Sequence, residues 1–165
     1  MEKTTYKILA LKYRPKNFKE LIGQDVMVET LVNSIKSNRI AQAFMLTGER
    51  GTGKTSTARI ISKSLTCTGN FLEGVKCKTG EICHCEEITH DKHLDVTECD
   101  AASRTGVDDV RQIIDAARYK PTTAKYKIYI IDECHMLSRS AWNALLKTLE
   151  EPPDQLKFIF CTTEP

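Results

Sequence analysis

The chain has no apolar run of membrane-spanning length and no signal-peptide core at its N-terminus. A helical crossing needs about 20 consecutive apolar residues, so no membrane partner is expected, and the expected compartment is the cytoplasm. Charge of one sign is also missing. Lys and Arg number 24 against 22 Asp and Glu, a formal balance of +2. No whole-chain field announces nucleic acid, although local basic clusters are still allowed. No internal repeat and no low-complexity segment is visible.

What is present fits one globular domain. A chain of 165 residues, 41% hydrophobic and 28% charged, has room for a real core. Its seven cysteines, in a cytoplasmic setting, argue for metal or buried thiols over disulfides.

The most informative stretch is Gly48-Glu49-Arg50-Gly51-Thr52-Gly53-Lys54-Thr55, followed by Ser56. It fits the phosphate-loop pattern. Glycines admit turn conformations closed to other residues and bring backbone N–H groups close to an anion. The helix that follows aims its positive end at the same point. Lys54 is placed to neutralise the β- and γ-phosphates of ATP, and the Thr55 hydroxyl to ligate Mg²⁺. The flanks agree: Ala43–Thr47 is a short apolar run of strand length, and Ala58, Ile61 and Leu65 mark one helical face.

A second half-site completes the metal's surroundings. Lys127–Ile131 reads as a buried parallel strand and ends in Asp132-Glu133. An acidic residue at the carboxyl end of a central strand faces the ligand crevice of an open sheet. Asp132 is expected to hold Mg²⁺, and Glu133 to polarise the attacking water.

Elsewhere, residues up to about Gly23 read as an extended arm. Asp25 is expected to cap a helix bearing Val28, Leu31, Val32 and Ile35. Leu94–Thr97 reads as a strand, and Thr105-Gly106-Val107-Asp108 as a capping box opening a helix with Val110, Ile113, Ile114 and Ala117. Trp142, Leu145, Leu146 and Leu149 line a helix stopped by Pro152-Pro153, and Lys157–Cys161 is the last strand. Four strands alternating with helices predict a three-layer α/β core with a mainly parallel sheet.

Residues 66–91 break the pattern and read as an insertion. Cys67, Cys77, Cys83 and Cys85 lie there. Four soft thiolates in a loop-rich module suggest tetrahedral structural Zn²⁺, worth roughly 10–16 kcal/mol in isolated fingers. Cys77 and Cys83 are separated by five residues and Cys83 and Cys85 by one, where two-residue gaps are commonest, and His84 is an alternative ligand. Cys99, Cys134 and Cys161 read as core residues. His90, His93 and His135 lack helical metal spacing, and His135 is expected to make a structural hydrogen bond.

The chain as a whole resembles the N-terminal AAA+ ATPase domain of the gamma/tau-type subunits of bacterial DNA polymerase III, the sliding-clamp loader. The resemblance rests on Tyr13-Arg14-Pro15 with Phe18 and Gly23-Gln24, on Asp100–Thr105, on Ile131–Arg139 and on Asn143–Pro153. It spans essentially every residue, 1–165. It implies an adenine-side pocket around Tyr13, Arg14, Pro15 and Ile22, and a sensor-1 role for Thr163. It implies a four-cysteine zinc module, from whose usual gaps this chain departs. It also implies partners: delta, delta-prime, further gamma/tau copies, the sliding clamp and primed DNA. Arg104, Arg111 and Lys147 are the candidate DNA contacts. In such a family the arginine finger, lid and collar follow residue 165, so weak nucleotide binding, negligible turnover and no stable ring are expected of these residues alone. Two competing readings are a DExH-type helicase, from Asp132–His135, and a non-catalytic pseudo-ATPase scaffold, whose phosphate loop is typically degraded.

Overall fold

The computed structural model describes residue 9 and residues 13–67, 83–103 and 106–164. A short 3-10 turn, Phe18–Glu20, precedes α1 (Asp25–Lys36). Then come β1 (Ala43–Thr47), α2 (Lys54–Thr66), α3 (Cys85–Thr89), β2 (Val96–Asp100) and α4 (Val107–Ala117). β3 (Lys127–Asp132), a 3-10 turn at Cys134–Met136, α5 (Arg139–Glu150) and β4 (Leu156–Thr162) complete the order.

All four strands are parallel, in the order β1-β4-β3-β2. Side chains alternate across the pleat, so one strand feeds two cores. Ile128 and Ile130 pack with Ala58, Ile60 and Ile61 of α2 and with Leu31 of α1. Tyr129 and Ile131 pack with Val110 of α4 and Leu145 of α5. The result is the expected three layers. An aromatic row of Tyr129, Phe158, Phe160 and Trp142, with successive centroids 5.9, 5.6 and 5.4 Å apart, stiffens the second core.

Parallel register brings the carboxyl ends of the strands to one rim. Thr47 lies opposite Thr162, and Asp100 opposite Asp132. β1 neighbours β4, the last strand in the chain, so crossovers on the two faces diverge near this rim. Ligand crevices form at such a place in open α/β sheets.

Several sequence expectations need correction. The second strand runs Val96–Asp100, not from Leu94. Leu94 is exposed, and Asp95 is buried to 1% exposure. The carboxylate of Asp95 accepts backbone N–H bonds from Thr122, Thr123 and Ala124 at 2.7–2.9 Å, plus the Thr123 hydroxyl. It therefore pins the loop entering β3, and these bonds hold its pKa down at about 2 against the burial that opposes them. The cap of α4 is Gly106, without a side-chain bond, so the helix starts later than a Thr105 capping box requires. Thr105 itself lies outside the described residues. The cap of α1 is Gln24, one residue before Asp25. Leu146 is exposed on α5 while Leu145 is fully buried. Within the expected insertion, Cys85–Thr89 is helical, and Ile88 is buried in the first core. Among the described residues no helix is long and apolar enough to cross a membrane.

Candidate functional site

β1 delivers the chain to Gly48 at the rim, and α2 begins at Lys54. Between them the backbone takes φ +88° at both Gly51 and Gly53, a region that costs a side-chain-bearing residue energy. Gly53 is itself the helix N-cap, with no side chain to satisfy the first-turn N–H groups. These donors suit an anion. The loop's start is tied to the sheet by the Gly48 N–H, which donates to the Thr162 carbonyl at 3.3 Å. Lys54 Nζ donates to the carbonyls of Gly48 and Glu49 at 2.8 and 2.9 Å, closing the loop around its own ammonium.

The acidic strand end meets this loop. The Thr55 hydroxyl donates to Asp132 Oδ2 at 2.6 Å. Asp132 Oδ1 accepts from the Glu133 N–H at 3.0 Å. Glu133 sits at φ +49°, ψ +45°, strained for a residue with a Cβ. Its Oε2 is buried and lacks a hydrogen-bond partner, with His135 Nδ1 3.6 Å away. A buried carboxylate oxygen without a donor is costly and marks a place for a water or another donor.

Together these residues line a cleft of about 450 Å³: Arg50, Gly51, Gly53, Lys54, Thr55 and Ser56 on one side, Asp100, Asp132 and Glu133 on the other, with Arg14 at the edge. The hydroxyl and carboxylate oxygens of Thr55 and Asp132 are the hard donor set that Mg²⁺ prefers. Arg14 Nε donates to Ser56 Oγ at 2.8 Å. Burial and the neighbouring Arg59 guanidinium lower its pKa.

Other expected residues fall differently. Pro15 adjoins a neighbouring concavity. Tyr13 is exposed, and Ile22 is 95% exposed. Thr163 is half-buried and does not line the cleft, whereas the buried Thr162 hydroxyl meets His135 Nδ1 at 3.1 Å and accepts the Glu164 N–H. The contact between β4 and the acidic turn thus passes through Thr162, and His135 makes the expected structural bond. Asp100 was not singled out as a cleft residue, although an acidic strand end was the signal that found Asp132.

Arg111 pairs with Asp108 at 3.0 Å on the exposed face of α4. Lys147 lies near the C-terminal end of α5, in a separate groove with Ile114 and Pro153. The two do not converge on a helix N-terminus, and Arg104 lies outside the described residues. Cys99, Cys134 and Cys161 are buried. Burial raises the thiol pKa of Cys134 and pushes that of Cys161 up to about 12, which makes both inert.

Of the cysteines offered for zinc, Cys67 caps the C-terminus of α2, while Cys83 and Cys85 lead into α3, which packs on α2. Cys77 lies outside the described residues. The described metal-type donors that converge are His84, Glu87 and His93. His93 Nδ1 accepts the Asp95 N–H at 3.0 Å, so its proton sits on Nε2, 2.7 Å from His84 Nδ1. The two rings are joined by a hydrogen bond.

The family described as DNA polymerase III, delta subunit, matches residues 23–165. The chain belongs to this DNA polymerase III subunit family. It is 46% identical over 161 residues to the tau/gamma subunit of DNA polymerase III from Haemophilus influenzae, covering 98% of this chain and 23% of that protein. It is 48% identical over 159 residues to the gamma subunit from Buchnera aphidicola subsp. Schizaphis graminum, covering 96% and 43%. This family member therefore spans less than half the length of those relatives. Among solved structures, a gamma subunit-related protein from Thermotoga maritima is similar with TM-score 0.51 at 26% identity, over 82% of this chain and 39% of that one. The RuvB Holliday junction branch migration motor of the same organism has TM-score 0.58 at 18% identity, over 92% and 41%, and shows a shared fold.

Proposed function

We propose that this chain is the ATP-binding and hydrolysing domain of a clamp-loader subunit, acting in DNA replication with delta, delta-prime, further gamma/tau-type copies, the sliding clamp and primed DNA. The observation that carries the reading is the convergence of Lys54, Thr55, Asp132 and Glu133 on one cleft at the sheet rim. Family membership supports the setting.

The residues divide the work. Backbone N–H groups of residues 50–55 cradle the phosphates, and Lys54 exchanges the loop carbonyls for the β- and γ-phosphate oxygens. Thr55 and Asp132 would hold Mg²⁺, which when bound supplies charge neutralisation at the transferring phosphoryl group. Glu133 Oε2, lacking a donor, is placed to accept a hydrogen bond from the attacking water and orient it in line. Ser56 and Arg14 border the ribose and base side, with Pro15, Tyr13 and Ile22 beyond; the polar sensor expected at Thr163, which does not line the cleft, would act from the end of β4 beside Thr162. The intact loop and acidic pair argue against a non-catalytic scaffold.

A structural zinc held by Cys67, Cys77, Cys83 and Cys85 is part of the same proposal. What supports it is that α3, which starts at Cys85, packs on α2, which ends beside Cys67; a closed four-ligand site requires such ends to be near. Metal analysis of the purified chain should give one zinc per chain; a metal-free, equally stable protein refutes this part.

Titration with Mg²⁺–ATP tests the main reading. Wild type should bind, and Lys54→Ala should bind at least about tenfold more weakly. Equal affinity in the two proteins would refute it.

A further inference from the structure

The cleft holds the backbone of Glu133 firmly and its carboxylate loosely. The Glu133 N–H is spent on Asp132 Oδ1 at 3.0 Å, and its carbonyl accepts the Met136 N–H at 2.8 Å. The side chain has one buried oxygen, Oε2, with no hydrogen-bond partner among the described residues. Nδ1 of His135 stands 3.6 Å from that oxygen, just outside hydrogen-bond reach. A carboxylate that aims a water for in-line attack needs its own orientation fixed. Misplacing a reacting group by about 1 Å can cost roughly 10²-fold in rate.

His135 is placed to supply that orientation. It sits in the 3-10 turn Cys134–Met136, which is held by the buried Cys134 and by the Leu137 N–H donating to the Cys134 carbonyl at 3.1 Å. Its Nδ1 faces two oxygens, Thr162 Oγ1 at 3.1 Å and Glu133 Oε2 at 3.6 Å. Thr162 is the last residue of β4 and is buried, and its hydroxyl oxygen also accepts the Glu164 N–H at 3.0 Å. The ring is thus braced against the sheet on one side and opens onto the glutamate on the other. A proton on Nδ1 can be offered to either oxygen. A histidine that only anchored the turn would need the Thr162 bond alone. The buried, unsatisfied acceptor beside the same ring nitrogen is left unexplained by that role.

We propose that His135 is a positioning residue for Glu133: its Nδ1–H, braced by the Thr162 hydroxyl, turns to Glu133 Oε2 and holds the carboxylate while that oxygen also accepts a hydrogen bond from the attacking water. Oε2 has a lone pair for each donor, and the ring nitrogen needs to approach by only about half an ångström. His135 keeps its proton throughout and acts only through Glu133. Because Thr162 ends β4, a shift of that strand end is passed through the ring to the carboxylate. The proposal rests on the ATPase reading above and names how its water-orienting group is held.

Steady-state ATP hydrolysis by a complete loader carrying variants of this chain tests it. His135→Ala should lower kcat about 10–100-fold and leave KM for ATP within about twofold. His135→Asn, whose amide nitrogen falls near the Nδ1 position, should recover most of the rate. His135→Gln, whose amide reaches toward the Nε2 position, should not. That pair decides the matter if His135→Ala does not fold by circular dichroism. In a Glu133→Gln loader, His135→Ala should slow hydrolysis no further, because the histidine acts only through that carboxylate. Equal slowing by His135→Ala in both backgrounds, equal rates for the Asn and Gln variants, or a lowered Tm with kcat intact would overturn the proposal. If Glu133→Gln is slow and His135→Ala is not, this proposal fails and the ATPase reading stands. A wild-type loader without ATP hydrolysis would refute that reading and this proposal with it.

Discussion

The Thr55 hydroxyl and the Asp132 carboxylate, 77 positions apart in the chain, meet at 2.6 Å. Neither has local cause to find the other. Thr55 is placed by the first turn of α2, and Asp132 by the end of β3. If this pair forms the metal half of the cleft, Asp132→Asn should weaken Mg²⁺–ATP binding about tenfold or more and leave metal-free ATP binding nearly unchanged. Titrations with and without Mg²⁺ check this. An equal loss in both would mean that Asp132 acts only through the fold.

Glu133 combines a left-handed backbone with a buried oxygen that no donor satisfies. Strain of this kind persists where function requires it. Glu133→Gly should relieve both costs and raise stability by about 1 kcal/mol, seen as an increased Tm. Glu133→Gln should keep nucleotide binding. In a complete loader it should slow hydrolysis by about 10²–10⁴-fold. Undiminished hydrolysis would remove Glu133 from the chemistry.

Asp95 sets an acid limit on stability. Its folded pKa of about 2 lies below the ordinary 3.8. A depressed carboxylate contributes its full stabilisation above the unfolded value and loses it as pH falls through the folded one. The contribution of about 2 kcal/mol should therefore be complete above pH 4 or so and fade towards pH 2. Asp95→Asn should cost about 2–4 kcal/mol at neutral pH and flatten that acid limb. Denaturant unfolding across the acid range measures both.

The Arg59–Glu98 pair is two-pronged and about 80% shielded on each side chain. Removing one partner leaves the other half-buried and unpaired. Arg59→Met or Glu98→Gln alone should cost about 1–3 kcal/mol. The double variant should cost less than the sum, a coupling of about 1–2 kcal/mol. Additive losses would show that the contact contributes only packing.

The core was legible because periodicity reports burial. Ile128 to Ile131 read as a two-faced strand, and each face found its own helices. The phosphate loop was legible because its glycines, lysine and threonine are local requirements of one backbone shape. Asp95 and Asp100 were not. The first looked like part of a strand, yet its carboxylate serves a loop 27 to 29 residues away. The second became a cleft residue only through its register opposite Asp132. Thr163 was the expected polar residue, and nothing local signals that the hydroxyl of its neighbour Thr162 is the one that meets His135.

By itself the sequence determined the elements whose causes lie within a few residues: the alternating strands, the amphipathic helices, the glycine bends and the acidic strand end. Tertiary structure alone decided which of those elements adjoin, because strand order and parallel register are set by long-range pairing with no local signature. That pairing brings the rim carboxylates to the phosphate loop, and the end of β4 to His135.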